Sequence, residues 1–312
     1  MLSENFAHKT VIIIVTYNAM PWIEKCLASC KGYTICVIDN ASGDQTVAYI
    51  HENYPEIQVL PQQKNLGFGQ ANNIGMRYAL GQGADYVFLL NQDAYLQEGC
   101  IEKLIAVYVE NPSYGIISPV HLNGQGDQLD EKFLLYLNRY KVTNALLLDA
   151  FQNNTSSVYP IDFVNAAGWL LSHQALQTVG GFDPLFFHYG EDRNYCQRVQ
   201  YHGLKIGVVP SAVLYHDREN RVEKKKQKYS KAYYEEFKRY LKVDWADINN
   251  TDFENKYDAR SRYLLSKQRR CFLKLEFKKA KDCQIKRKIM QRLKAPILKS
   301  RYVAAENKMP FL

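Results

Sequence analysis

The feature that most limits what this chain can become is an alternation. Four short runs, Val11–Val15, Ile35–Ile38, Ile57–Leu60 and Tyr86–Leu90, are apolar almost throughout and rich in β-branched residues. A strand that is apolar on both faces must be covered on both faces, which points to a parallel sheet between helices. The stretches between these runs carry a helical period: Pro21–Lys31, with a proline near its first turn, then Asp44–Asn53 and Gly69–Leu80. Repeated strand–helix–strand units predict an α/β fold with a mostly parallel sheet and helices on both faces. Two further strands are expected at Gly115–Val120 and Lys205–Val209. A bent strand is expected over Phe163–Leu171 around Gly168, and a helix from Glu191 to His202. Residues 121–160 carry less pattern, with Gly124, Gly126 and Asn153-Asn154, and read as a long insertion or flap beside the site.

Polar residues gather where the apolar runs end. The first run leads into Thr16-Tyr17-Asn18, the second into Asp39-Asn40 and the fourth into Asn91-Gln92-Asp93. In an open parallel sheet, ligands bind beyond the carboxyl ends of the strands. Turn chemistry accounts for one or two Asn or Asp residues there, but three such ends with carboxylates point to a nucleotide-sized ligand. The common phosphate cradles are missing. No GxGxxG follows the first run, Asn65-Leu66-Gly67-Phe68-Gly69 comes far later, and no GxxxxGK[ST] occurs. A diphosphate bound without such a cradle calls for a hard divalent cation, held by one or two carboxylates and phosphate oxygens, and Asp93 stands where one would be.

Several blocks together carry a resemblance. They are Ile14-Val15-Thr16-Tyr17-Asn18, Val37-Ile38-Asp39-Asn40-Ala41-Ser42-Gly43-Asp44, and the stretch from Asn65-Leu66-Gly67-Phe68-Gly69 through Asn72-Asn73-Ile74-Gly75. Leu90-Asn91-Gln92-Asp93-Ala94, Gly180-Gly181-Phe182-Asp183 and Gly190-Glu191-Asp192 follow. In this order, over about residues 9–216, they resemble the family 2 glycosyltransferases of the GT-A fold. The nearest branch looks like the rhamnosyltransferase-like enzymes of bacterial cell-surface polysaccharide synthesis.

The resemblance implies a nucleotide-diphospho-sugar transferase with a Rossmann-like sheet, and inverting transfer of a sugar, rhamnose among the candidates, to a glycan or lipid-linked saccharide. It implies that Thr16, Tyr17 and Asn18 flank the nucleotide and that Asp39, with Asn40 beside it, accepts a hydrogen bond from the base. Asn65 and the stretch from Gly67 through Asn72 and Asn73 would approach the diphosphate and ribose, with Gly67 and Gly69 letting the backbone come close. Asn91-Gln92-Asp93 takes the place of the family's metal-binding DxD motif. Asn91 departs from it and adds no charge, so Asp93 is left as the ligand of a divalent metal, Mg or Mn.

Asp192 is implied as the base that deprotonates the acceptor hydroxyl. Glu191 and Asp192 also open a helix, where acids complement the helix dipole. Arg193 and Arg198 either steady that pair, contact the acceptor or face solvent. His216 follows the last strand, where related enzymes place a histidine near the metal or diphosphate; a structural histidine is the other reading. Trp169 either stacks on a sugar ring or lies in the core.

Charge separates the chain into two parts. Residues 1–216 hold 12 Lys and Arg against 19 Asp and Glu, a net of −7. Residues 217–312 hold 28 against 13, a net of +15, and the two add to the chain's +8. The expected organisation is a catalytic part over 1–216, with the donor side over about 1–95 and the acceptor side over about 96–216, followed by a basic helical region over 217–312. Within that region Tyr229, Tyr233, Phe237 and Leu241 recur among Lys228, Lys231, Lys238 and Lys242, an amphipathic basic helix. Residues 264–299 read as helical and basic again, ending before a flexible Met309-Pro310.

An amphipathic basic helix without a spanning segment suits peripheral contact with an anionic membrane, or else a solvated helix covering the catalytic part. The longest apolar run is far short of the roughly 18 residues a spanning helix needs, and no leader is visible. A cytoplasmic location, at the inner face of the cell membrane where the membrane is touched, is therefore expected. Seven cysteines without zinc spacing agree. A nucleic-acid-binding protein would leave the strand-end residues without a role, so nucleic acid is not expected as a partner. A GT-A protein that binds sugar nucleotides without catalysis is the other alternative, against which Asp93 and Asp192 argue. A processive synthase is disfavoured by the absence of a QxxRW motif.

Overall fold

In a computed structural model, which describes residues 9–218, 227–306 and 308–312, the apolar runs are strands and the periodic stretches helices. The chain begins β1 (Thr10–Thr16), α1 (Ile23–Ser29), β2 (Thr34–Asp39), α2 (Thr46–Asn53), β3 (Gln58–Val59), α3 (Phe68–Gly81) and β4 (Tyr86–Asn91). β1 pairs in parallel with β2 and β4, and β3 extends the edge beyond β2. Burial explains the composition: Val11, Ile12, Ile13 and Ile14 are all inaccessible to solvent, alternate ones belonging to the cores on opposite faces of the sheet. The register sets Thr16 opposite Asp39 and Val15 opposite Asn91, so the polar ends of the three strands emerge side by side.

The chain continues through β5 (Ala94–Leu96), α4 (Cys100–Glu110), β6 (Tyr114–Asn123), α5 (Glu131–Arg139), α6 (Val142–Phe151), β7 (Tyr159–Pro160), β8 (Gly168–Ser172), α7 (His173–Val179), α8 (Glu191–Tyr201) and β9 (Lys205–His216). The strand order is β3-β2-β1-β4-β8-β6-β9-β5, with β7 also on β9. β8 runs antiparallel to β4 and β6, whereas β6 and β9 are parallel. β9 is one long strand that runs past a bulge near Pro119–Val120 to end at His216.

Two expectations need correction in this half. Residues 121–160 contain the two helices α5 and α6 rather than an unpatterned flap. α5 starts at an Asp130 cap, whose Oδ1 accepts the Phe133 N–H at 2.8 Å, and Phe133, Tyr136, Leu137 and Tyr140 follow at helical spacing. The strand expected over Phe163–Leu171 begins only at Gly168. The residues before it turn, with Ala167 N–H donating to Asn165 O at 2.8 Å.

The basic part is helical: α9 (Lys231–Trp245), α10 (Phe253–Leu273) and α11 (Phe277–Glu306). The helix read over 264–299 is thus two helices with a break between Leu273 and Phe277. Leu241, Trp245, Phe253, Tyr257, Met290 and Ile297 form a third core, which takes in Phe186 and Leu185 from the loop before α8. Phe237 of the α9 stripe and its neighbour Tyr234 also pack on that core. Lys242 Nζ donates to Leu185 O at 2.7 Å, and Ser300 Oγ donates to Asp183 Oδ2. Met309 to Leu312 are docked rather than free. Gly181 N–H donates to Pro310 O at 2.9 Å, and a Cβ on Gly180 would meet that same oxygen.

Candidate active site

The strand ends hold one another's loops. Thr16 Oγ1 donates to Asp39 Oδ1 at 2.9 Å, and Asp39 Oδ2 accepts the Ser42 N–H at 3.0 Å. Gln92 clamps the backbone of Tyr17, its Oε1 accepting the Tyr17 N–H at 2.7 Å and its Nε2 donating to Tyr17 O at 3.3 Å. Asn18 sits at φ 51°, fixed by Ser42 Oγ on its N–H (2.9 Å) and by the Gly43 N–H on its Oδ1 (2.8 Å). The backbone of this turn is immobilised while the Tyr17 ring stays 50% exposed, a planar surface available to a base. Asp39 is buried and ties these loops together.

Asn40 and Asn65 shape the next loop. Asn40 Nδ2 donates to Asn65 Oδ1 at 3.0 Å, Asn40 Oδ1 accepts the Leu66 N–H at 2.7 Å, and Asn65 Oδ1 accepts the Gly67 N–H at 2.9 Å. Gly67 has φ +82°, and a Cβ there would lie 1.8 Å from Phe187 O. A Cβ on Gly69 would lie 2.7 Å from the Phe182 Cβ. The missing Cβ at these glycines makes room for the Phe182–Phe187 segment. Asn72 Nδ2 donates one turn back to Phe68 O at 3.0 Å. Asn73 packs against the same segment: its Nδ2 donates to Phe182 O and Phe311 O, and its Oδ1 accepts the Phe182 N–H at 2.7 Å.

β5 and β9 bring a carboxylate and an imidazole together. Ala94 pairs with His216, and Asp217 N–H donates to Asp93 O at 2.8 Å, which leaves Asp93 Oδ1 3.6 Å from His216 Nε2 with both side chains buried. Neither ring nitrogen of His216 makes a hydrogen bond. Its Nδ1 lies 3.7 Å from Asp130 Oδ2. Burial acts to raise the Asp130 carboxyl, but the Arg218 guanidinium bonded to it outweighs that and holds it below the ordinary carboxylate range. His121 stacks on Phe133 and bonds Ser118 Oγ at 3.1 Å. Burial, then the neighbouring His216, drives its pKa well down, so it is neutral.

A buried carboxylate facing an imidazole whose nitrogens lack partners is a donor set that fits a divalent cation, the remaining positions being left to phosphate oxygens and water. Among the described residues no group of three or more His, Cys, Asp and Glu is placed to hold such an ion by itself. An ion here would depend on its ligand's phosphates.

The second pair of acids opens α8. Gly190 enters it at φ 100°, and Glu191 is 4% exposed, with an Oε2 that lacks a partner. Burial, then the charge of Asp192, lifts the Glu191 pKa to about 7. Asp192 is half-buried, its Oδ1 accepting the Arg193 N–H at 2.7 Å, and burial raises its pKa too. A carboxylate that binds a proton more tightly than usual is a better base near neutral pH. Tyr136 connects the two acidic clusters: burial, then the charge of Asp192, lifts its pKa to about 12, and Asp130 adds to the effect.

The residues left open by the sequence are now placed. Arg198 is buried scaffold, donating to Asn194 Oδ1, Val179 O and Gly181 O. Arg193 lies 3.7 Å over the Phe163 ring and reaches the Tyr140 hydroxyl with a 2.5 Å bond. Trp169 is fully buried, with its ring stacked on Phe182, so it belongs to the core and not to a sugar platform. Gln92, Asp130 and Tyr136 were missed as site residues. The cap pattern at Asp130 was the available signal for two of them.

The profile of "Glycosyl transferase family 2" matches residues 11–176, more than half of the chain. Over 198 residues the chain is 25% identical to a low-salt glycan biosynthesis hexosyltransferase of Haloferax volcanii, covering 63% of each. The chain therefore spans somewhat under two thirds of that relative's length. It is 26% identical over 237 residues to an N-acetylglucosaminyl-diphospho-decaprenol L-rhamnosyltransferase of Mycobacterium tuberculosis, 66% of this chain and 75% of the relative. Among solved structures, a mannosyltransferase of Pyrobaculum calidifontis in complex with GDP-Man and Mn2+ superposes with a TM-score of 0.53 at 18% identity, over 77% of this chain and 63% of that one. S. aureus TarS 1–349 in complex with UDP-GlcNAc gives 0.52 at 15% identity, over 80% and 69%. At such identities the likeness is one of fold, the GT-A fold.

Proposed function

The chain belongs to glycosyl transferase family 2, and from that premise we propose that it is an inverting glycosyltransferase of cell-surface polysaccharide synthesis. The donor is a nucleotide-diphospho-sugar, with rhamnose the leading sugar because relatives are named as rhamnosyltransferases. The acceptor is a glycan or lipid-linked saccharide, as the name of the mycobacterial relative suggests. Residues 1–216 form the catalytic part, donor side first, and residues 217–312 the basic helical part. The enzyme works at the inner face of the cell membrane; among the described residues no helix is long and apolar enough to cross it.

On this reading each residue has a part. Tyr17 offers its ring to the base, and Asp39 and Asn18 hold the turn that presents it. Asn40 and Asn65 set the loop facing the ribose and diphosphate, with Asn72 at the start of the helix behind. Asn91 and Asp93 lie at the diphosphate, and Asp93 with His216 would hold Mg or Mn, whose charge offsets that of the departing nucleoside diphosphate. Asp192 removes the acceptor hydroxyl proton. The hydroxyl oxygen bonds to the anomeric carbon from the face opposite the diphosphate, the bond from that carbon to the diphosphate oxygen breaks, and the configuration inverts. One carboxylate suffices because no covalent sugar–enzyme intermediate is formed.

The observation that supports this reading best is the half-buried Asp192, whose proton affinity burial raises and whose charge, like that of Asp130 beside His216, acts on Tyr136. The test is a thermal-shift screen of UDP-, dTDP- and GDP-sugars with and without Mn2+. A donor at 100 times its Kd adds roughly 2.7 kcal/mol of stability, so one nucleotide family should raise the melting temperature and need the metal to do so. No shift with any sugar nucleotide would refute the donor assignment.

A further inference from the structure

The turn between α10 and α11 has a chemistry that glycosyl transfer does not use. Leu275 there takes φ 56°. Its N–H donates to Phe272 O at 3.0 Å and the Glu276 N–H donates to Cys271 O at 2.8 Å, the two-bond pattern that closes a helix on a left-handed residue. Glycine is what this position favours, and a leucine is strained in it. Packing does not offset the strain, because Leu275 is 74% exposed and Leu273 83%. Phe272 and Phe277 flank them, also mostly exposed, their rings meeting edge to face at 5.6 Å. Single exposed apolar residues need no explanation, but four large ones within six positions at one tip do.

The charge around the tip says what it meets. Residues 267–281 carry seven Lys and Arg against the single acid Glu276. Behind the turn a cleft of about 400 Å³ is lined by Lys228, Lys267, Arg270, Lys274, Lys279 and Lys286. Its two carboxylates, Glu276 and Asp282, pair with Lys279 and Lys286 at 2.8 and 3.0 Å, which leaves an excess of four positive charges. An apolar tip collared by cations matches one surface in particular, a bilayer whose acyl region lies beneath anionic phosphates.

We propose that the α10–α11 turn inserts into an anionic phospholipid surface, with Phe272, Leu273, Leu275 and Phe277 below the phosphates and the surrounding cations against them. This deepens the membrane-face location proposed above and rests on it. It moves the contact away from the Tyr/Phe stripe of α9, which helps to close the third core.

The test is flotation of the full chain with vesicles of phosphatidylcholine alone, or with about one third phosphatidylglycerol. Binding is expected only to the anionic vesicles, and Leu273→Ser should weaken it about tenfold. Leu275→Gly removes backbone strain and an inserting side chain together, so its melting temperature should be no lower than wild type while vesicle binding falls. Replacing Arg270, Lys274 and Lys278 by Gln should cost on the order of 100-fold, since ~1 kcal/mol per cation is about fivefold. Sugar-nucleotide affinity, measured alongside, should not change in any variant. Failure on vesicles would therefore sink this inference and leave the donor site standing. Equal binding to neutral vesicles would overturn it. So would loss in the charge variant with full binding in Leu273→Ser and Leu275→Gly, which would point to an anionic polymer such as nucleic acid.

Discussion

Glu191→Gln puts the electrostatics of the α8 acids to a quantitative test. The carboxyl is 4% exposed, and its pKa is lifted from 4.5 to about 7 by burial first and by Asp192 second. At roughly 1.4 kcal/mol per pH unit, that gap corresponds to about 3 kcal/mol. The sign follows from linkage. The folded chain holds this proton more tightly than the unfolded chain does, so the group's contribution is fully present below about pH 4.5 and is lost as pH rises through about 7. Above that the wild type carries an ionised carboxylate in a place that disfavours charge, and the uncharged amide does not. Thermal unfolding of both proteins between about pH 4.5 and 8 should give curves that coincide at the acid end and separate steadily. At pH 8 the variant should melt roughly 6–12 °C higher, at ~2–4 °C per kcal/mol for a chain of this size. A variant that melts below wild type by the same amount at every pH would refute the reasoning, because it would mean that the carboxylate is held by hydrogen bonds in its charged form.

Other residues give equally direct outcomes. Asp93→Ala and His216→Ala should each weaken Mn2+-dependent nucleotide binding at least tenfold by calorimetry while leaving any metal-independent component in place. Gly67→Ala places a Cβ 1.8 Å from Phe187 O at φ +82° and should destabilise by about 3 kcal/mol or more in denaturant titration. Asp130→Ala removes the α5 cap and the Arg218 partner together, and a loss of about 2–4 kcal/mol is expected from the same measurement.

What the sequence made legible was whatever obeys a period or a strand-end rule. Val11–Val15 and Tyr86–Leu90 read as strands because burial on both faces leaves nothing for polar side chains to do, and the cluster at their ends followed from the topology. Asp93 and His216, 123 positions apart, lie 3.6 Å from each other, and only β5–β9 pairing brings them there. α5 and α6 are harder to read, because Gly124 and Gly126 signal turns just before the Asp130 cap and the apolar spacing that follows it. Nothing local shows that the Phe182–Phe187 segment, more than a hundred residues later, packs against Asn73 and Gly67. The docking of Met309–Leu312 is invisible for the same reason: short terminal segments carry no period, and only the surface they meet orders them.

On this proposal Asp192 is the base of an inverting sugar transfer. It is tested most directly by comparing wild type with Asp192→Asn on the donor identified in the screen, following both donor affinity and transfer of labelled sugar to membrane acceptor. The amide keeps the shape of the carboxylate and removes its basicity. Donor affinity should stay within a few-fold of wild type while the transfer rate falls by about 10²–10⁴. Transfer that persists near the wild-type rate in Asp192→Asn would contradict the account.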